Sequence, residues 1–349
     1  MIAELVHTSM VKGLDGGTGF SVAARTGGMP RALADALAAL SGLGEAWPGA
    51  SDDERTLRAT RAIPWQGETA WVASVIRPCG VDHTGRGNRI AHHRVLDPGE
   101  VARADPGSVL LEGVWRDRWN GEPRELDVPA ALPASAGHSG PCATWQRIFG
   151  DAGVAAAALE HAFRSGVGAW IVVPAGAPRE QLLRELVGLL PMANRWKRGW
   201  ATRPLRPAAG EAPVICVVDA REPEVERVPA GAAWRIDAST LAPVAAEALL
   251  RRAREGAGAA GSATDHGASG RERVSVAPPR RLATPGEVSD GSVPAPSPAV
   301  ETVESHTAAA PPIRIEIVRA RRSGAWRWIA LACAAVVALL WWMLRGGGA

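Results

Sequence analysis

The densest run of side chains able to bind ions or move protons is Asp82-His-Thr-Gly-Arg-Gly-Asn-Arg-Ile-Ala-His-His-Arg-Val-Leu96. His83, His92 and His93 would suit a metal ion or a general base. Consecutive residues of a strand point to opposite faces, however, so His92 and His93 cannot readily share one ion. Neither an HExxH nor an HxH arrangement accompanies them. The glycines Gly85 and Gly87 instead suit a turn that feeds a strand. On that reading Arg86, Asn88, Arg89 and one of the two adjacent histidines bond to neighbouring backbone or face a partner surface. Cys79 and Asp82 with His92 or His93 could alternatively form a nucleophile and base for a hydrolase or a nucleotide-processing enzyme.

Other stretches with chemical potential are weaker. Gly13-Leu-Asp-Gly-Gly-Thr-Gly-Phe20 is rich in glycine, but Lys12 precedes the glycines where a phosphate loop needs a lysine and a hydroxyl after them. A tight turn between two strands fits it better. No GxSxG elbow occurs. In Trp145-Gln-Arg-Ile-Phe-Gly-Asp-Ala-Gly153, Asp151 is placed to cap a helix starting near Val154. After a helix stopped by Pro191 come Arg195, Trp196, Lys197, Arg198 and Trp200. Five interleaved basic and aromatic residues make a short platform for nucleobases, so tryptophans packed beneath arginines are expected.

The elements that must hold these residues read as α+β. Short strand patterns lie at Ile2–Thr8, Gly19–Ala24, Thr69–Arg77, Arg89–Leu96, Ala169–Val173 and Val214–Val218. Helical periodicity predicts helices over Arg31–Leu43, opened by Pro30, over Val154–Arg164, and over Arg179–Leu190, opened by Pro178. Thr240 is placed to cap a fourth that carries Leu249 and Leu250. Pro129, Pro133, Gly137 and Pro141 cluster between, which predicts a two-lobed head: a strand-rich lobe over 1–135 and a helix-rich α/β lobe over 136–254.

Thirty-nine basic residues stand against 36 acidic ones, too even a balance to wrap a nucleic-acid backbone, and no nucleic-acid partner is expected. Of the basic residues only Lys12 and Lys197 are lysines. Cys79, Cys142, Cys216 and Cys333 form no CxxC pair and read as reduced cysteines, without a metal or a cofactor. Residues 255–312 are dominated by Gly, Ala, Pro and Ser, a composition that buries too little apolar surface to fold and reads as a disordered linker. A basic juxtamembrane segment, 313–325, follows; its Ile313–Val318 suits either a short strand or an extension of what comes next.

Residues 326–344 would span about 28 Å as a helix, close to the hydrocarbon thickness of a bilayer. Trp326 and Trp328 mark one end and Trp341 and Trp342 the other, as interfacial indoles do. Arg314, Arg319, Arg321, Arg322 and Arg327 sit at or before its start and Arg345 alone follows, which places the head in the cytoplasm. The expectation is a tail-anchored, single-pass protein of the bacterial inner membrane. Met1–His7 reads as a first strand, not as a secretory leader.

Taken in order along the chain, these motifs resemble the bacterial GTPase-associated protein family, its N-terminal domain followed by its middle domain. The first part of the resemblance rests on Gly13–Phe20, Gly28-Met-Pro30 and Gly87-Asn-Arg-Ile-Ala-His-His-Arg-Val-Leu96. The second rests on Phe149-Gly-Asp-Ala-Gly153 and on Leu190-Pro-Met-Ala-Asn-Arg-Trp196 running to Ala201-Thr202. The resemblance implies an adaptor or scaffold beside a small GTPase, or another component of a bacterial conflict or defence system, and it supplies no catalytic residues. With the terminal span, the expected partners are that protein and a lipid bilayer. The competing expectation is a membrane-attached hydrolase or nucleotide-processing enzyme that uses the region Asp82–His93.

Overall fold

The largely buried β1 (Ala3–Met10) opens the fold, and the glycine-rich turn reverses the chain into β2 (Gly19–Thr26). In this turn the Gly13 amide donates to the Gly17 carbonyl at 2.6 Å. Pro30 then opens α1 (Arg31–Ala39), which lays Leu33, Ala34 and Leu37 on one face of the sheet beside Leu5, Val72 and Val95. The short α2 (Asp52–Arg55) starts with a reciprocal cap between Ser51 and Glu54. An antiparallel meander follows: β3 (Leu57–Trp65), β4 (Glu68–Val81) and β5 (Gly87–Leu96). Asp97 and Asp105 cap α3 (Pro98–Arg103) and α4 (Pro106–Glu112), after which β6 (Arg124–Leu126) joins the edge of the sheet.

The second half is helix-rich: α5 (Ala143–Phe149), α6 (Gly153–Arg164), β7 (Ala169–Val173), α7 (Arg179–Gly188) and α8 (Met192–Arg195). It continues with β8 (Gly199–Ala201), β9 (Val214–Asp219), α9 (Pro223–Glu226), β10 (Arg235–Asp237) and α10 (Glu247–Glu255). The computed structural model describes residues 1–207 and 210–257. All of these lie in one compact unit, Met1–Glu272.

The observed class is mixed α/β around one ten-stranded sheet, ordered β10-β7-β9-β8-β3-β4-β5-β1-β2-β6. β10, β7, β9 and β8 pair in parallel, β3 joins β8 antiparallel, and the meander carries the sheet on to β1 and β2. The sheet therefore runs without a break from the strand-rich half into the helix-rich half. The residues 130–139, which join them in sequence, form no strand or helix.

Two apolar clusters cross the same seam. One sets Ala73, Leu96 and Leu110 against Trp145, Leu159, Leu182 and Trp200; the other sets Leu57, Ile76 and Ala91 against Trp170, Val172 and Val218. Each fully buried large side chain contributes about 1.5–3 kcal/mol, so the seam is part of the core. A buried ion cluster adds directionality. Glu222, fully buried, accepts from Arg179 Nη1 at 3.0 Å and from Arg203 Nε and Nη2 at 2.8 Å. The same two arginines donate back across the seam to the carbonyls of Glu54, Arg55 and Glu45.

Several elements differ from the sequence patterns. β3 has no clean alternation because Arg58 and Arg61 interrupt it; Arg61 is buried and satisfied by a two-pronged pair with Glu211 (2.6–3.0 Å). Thr240 does not cap the fourth predicted helix. It sits in a 3-10 turn after β10, its hydroxyl on the Asp237 carbonyl at 3.2 Å, and α10 begins only at Glu247.

The linker, the juxtamembrane segment and the span 326–344, with Trp326, Trp328, Trp341, Trp342, Arg314, Arg319, Arg321, Arg322 and Arg327, lie outside the described residues. Among the described residues no helix is long and apolar enough to cross a membrane.

Candidate functional site

At one end of the antiparallel half, the last residues of β1, the β4–β5 hairpin and the loop 117–123 enclose an open cleft of about 840 Å³. Its hairpin wall is set by Asp82. This carboxylate accepts from the Thr84 hydroxyl at 2.6 Å, the Thr84 amide at 2.8 Å, the Arg86 amide at 3.0 Å and, through its other oxygen, the Ser9 hydroxyl at 3.1 Å. The Thr84 hydroxyl, the two amides and Ser9 together hold it well below the usual carboxylate range, so it stays ionised. Gly85 closes the turn at φ +79°, a conformation that a side chain would strain. The hairpin expected at Gly85–Gly87 is thus built by Asp82 as much as by its glycines.

Asn88 ties this hairpin to β1. Its Oδ1 accepts from the Ser9 amide at 3.2 Å, while the Thr8 hydroxyl donates to the Arg89 carbonyl at 2.7 Å. Arg89 lies over the Phe20 ring at 4.1 Å, and His7 meets the same ring edge-on at 4.3 Å. Arg86 extends into solvent, its Nη2 3.8 Å from Asp82. Opposite, Trp119 donates its indole N–H to the Gly121 carbonyl at 3.1 Å, with Arg124 and Arg116 over its ring at 4.9 and 5.6 Å.

The surface of the cleft mixes charge and exposed apolar groups. Lys12 and Arg118 stand beside Asp82, Asp117 and Glu122. Val11 and Val81, 67% and 71% exposed, form part of its lining. Such an alternation of apolar and charged groups suits protein recognition better than catalysis. Sequence patterns did not single out Val11, Val81 or Trp119, and weighed Lys12 only against a phosphate loop. The one available signal was that valines continue β1 and β4 past the point where their strands stop being covered.

The two adjacent histidines point to opposite faces of β5, as a strand requires. His93 is fully buried between Ser74 (Nδ1 to Oγ, 2.8 Å) and Ser41 (Nε2 to Oγ, 2.9 Å), and burial pushes its pKa down to about 3. His92 accepts the Arg116 amide on Nδ1 at 3.1 Å and turns Nε2 toward Glu4 at 3.5 Å, with Trp115 edge-on at 5.3 Å. Neither lines the cleft. Among the described residues no group of His, Cys, Asp and Glu is arranged to hold a metal ion.

Asp151 lies far along the chain, at the start of α6: it accepts the Gly153 amide at 2.7 Å and pairs with Arg254 at 2.8 Å. Arg195 is buried and fully occupied, donating to Asp105 at 2.7 Å and to the carbonyls of Ala136, Leu190 and Gly188. Trp196 donates to the Ala104 carbonyl at 2.8 Å and meets Trp71 edge-on at 5.1 Å. Arg195 and Trp196 therefore fasten the second half to α3 and α4. They do not join the cleft.

The fold and cleft describe a mixed α/β protein with an open cleft at the strand-rich end. Residues 1–132 match the family described as GTPase-associated protein 1, N-terminal domain type 2. Every residue lining the cleft lies within it. Comparison with curated proteins and with solved structures finds no match.

Proposed function

We propose that the head is a docking module of a tail-anchored adaptor, binding a GTPase-type partner through the cleft between β1, the β4–β5 hairpin and the loop 117–123. The observation that carries this reading is the pair of exposed valines, Val11 and Val81, bordering a charged cleft inside the GTPase-associated stretch. Residues 136–254, which by resemblance form the family's middle domain, brace the cleft through the shared sheet. The apolar, tryptophan-flanked residues 326–344 hold the complex at the cytoplasmic face of a bacterial inner membrane. Confinement there raises the partner's effective concentration without any new contact. A role in a conflict or defence system follows from the family resemblance.

Affinity capture with the full chain in detergent is expected to recover a nucleotide-binding GTPase. The double variant Val11→Glu, Val81→Glu should weaken that capture at least tenfold with its melting temperature unchanged. Equal capture by the variant would remove the cleft from the interface. Deleting 326–344 should move the protein from the membrane pellet to the supernatant, and a full chain found in the supernatant without detergent would end the anchored reading.

A further inference from the structure

The wall of the cleft formed by residues 117–123 is tied to the sheet at a single polar contact. Among the described residues, the only hydrogen bond joining residues 114–123 to the sheet runs from the Arg116 amide to His92 Nδ1, at 3.1 Å. Trp115 and Trp119 add apolar contact on either side of it, and Trp119 turns its indole N–H back onto the loop's own Gly121 carbonyl. Trp115 meets the His92 ring edge-on at 5.3 Å, and its own indole nitrogen is buried without a partner. The imidazole, 2% exposed, is thus a fixed anchor for the segment that becomes the wall.

An N–H can donate only to a ring nitrogen that carries no proton, so this bond fixes the neutral tautomer: the single ring proton of His92 sits on Nε2. Among the described residues that nitrogen has no hydrogen-bond partner, and it faces the Glu4 carboxylate at 3.5 Å. A second proton has only Nδ1 to go to. There it would set two N–H groups against each other where a bond now stands, while Glu4 attracts the new cation. The charged groups around the ring are Glu4 on β1, Arg116 in the loop, and Arg94 on β5, which reaches Glu4 at 3.4 Å and Glu100 of α3 at 2.7 Å. β1 and β4 set only Val6 and Val75 opposite His92, and His93 points to the other face.

We infer that His92 is a proton-operated latch on the cleft: neutral, it pins the wall 117–123 through Arg116, and a proton taken from solvent onto Nδ1 releases that wall. The latch stands on the loop geometry alone. Only its effect on a partner, weaker capture in acid, rests on the docking role proposed for the cleft.

Hydrogen exchange of the full chain in detergent reads the latch without a partner, so failure of the docking role leaves its outcome unchanged. Corrected for the intrinsic pH dependence of amide exchange, the Arg116 amide should lose roughly tenfold protection between about pH 8 and about pH 5, the worth of one ordinary hydrogen bond. The amides of β5 should stay protected, which separates the release from general unfolding. His92→Asn puts an oxygen that takes up no proton where Nδ1 stands, and should keep Arg116 protected across the range. His92→Gln, whose amide reaches past that position, should leave it unprotected throughout. Glu4→Gln removes the attraction for the imidazolium and should move the release to lower pH; this variant decides if the His92 variants fail to fold. Protection of Arg116 that does not change with pH in the unmodified chain would overturn the inference. So would a release that persists in His92→Asn, or one that Glu4→Gln does not shift.

Discussion

Several charged side chains are held inside the core by an opposite charge. Glu222 neutralises Arg179 and Arg203 together. Glu222→Gln would leave two buried guanidiniums without a counter-charge and should cost about 3–5 kcal/mol, read as a lowered urea midpoint. His93 is the opposite case, a buried group kept neutral between two serines. Its pKa in the fold is about 3, against about 6.5 in an unfolded chain. Below pH 6.5 the unfolded chain therefore takes up a proton that the folded protein refuses. Stability is undiminished above that pH and falls toward pH 3, by up to about 1.4 kcal/mol per pH unit. His7, pushed down to about 4 mainly by burial, adds a loss in the same direction. Urea midpoints measured from pH 7.5 to 4.5 should show the decline, and His93→Gln should flatten the slope by about one proton.

At the scale of elements, the stretch between the two halves is fixed less by its own structure than by what it touches. Gly137 lies at φ +68°, and a Cβ there would come within 2.3 Å of the Asp105 carboxyl carbon and 2.7 Å of Arg195 Nη1. Gly137→Ala should thus break the Asp105–Arg195 pair and cost several kcal/mol. Gly28→Ala, at φ +76° with open space around it, should cost only about 1 kcal/mol from backbone strain. Thermal unfolding of both variants separates the two effects, and equal losses would mean that the joint gives way without disturbing the ion pair. The helix starts are more local. Ser51–Glu54 and Asp97–Glu100 form reciprocal caps, and both are visible as short sequence patterns.

The ten-stranded sheet makes the two halves one mechanical body. β8 pairs β3, both apolar clusters cross that seam, and Arg179 and Arg203 bond residues on either side of it. Calorimetry of the full chain should accordingly show one cooperative transition for the head. Two transitions would mean that the lobes fold independently despite the shared sheet. The cleft and an aromatic groove lined by Trp170 and Trp234 lie in different halves of this body.

Strands β1, β2, β4, β5, β7 and β9, and helices α1, α6 and α7, could be read from the sequence because their periodicity is local: each displays its buried face in its own residues. The hairpin at Gly85 and the opposite facing of His92 and His93 were legible for the same reason. β3 was not, since a strand carrying Arg58 and Arg61 looks exposed until Glu180 and Glu211, more than a hundred residues away, are brought to it. β8 and β10, three residues each, carry too little pattern to be seen. The cleft escaped notice because exposure of Val11 and Val81 belongs to no residue type; it depends on where the neighbouring segments end. Local pattern decided the elements, and only long-range pairing decided that they form one sheet and which of their ends stay open.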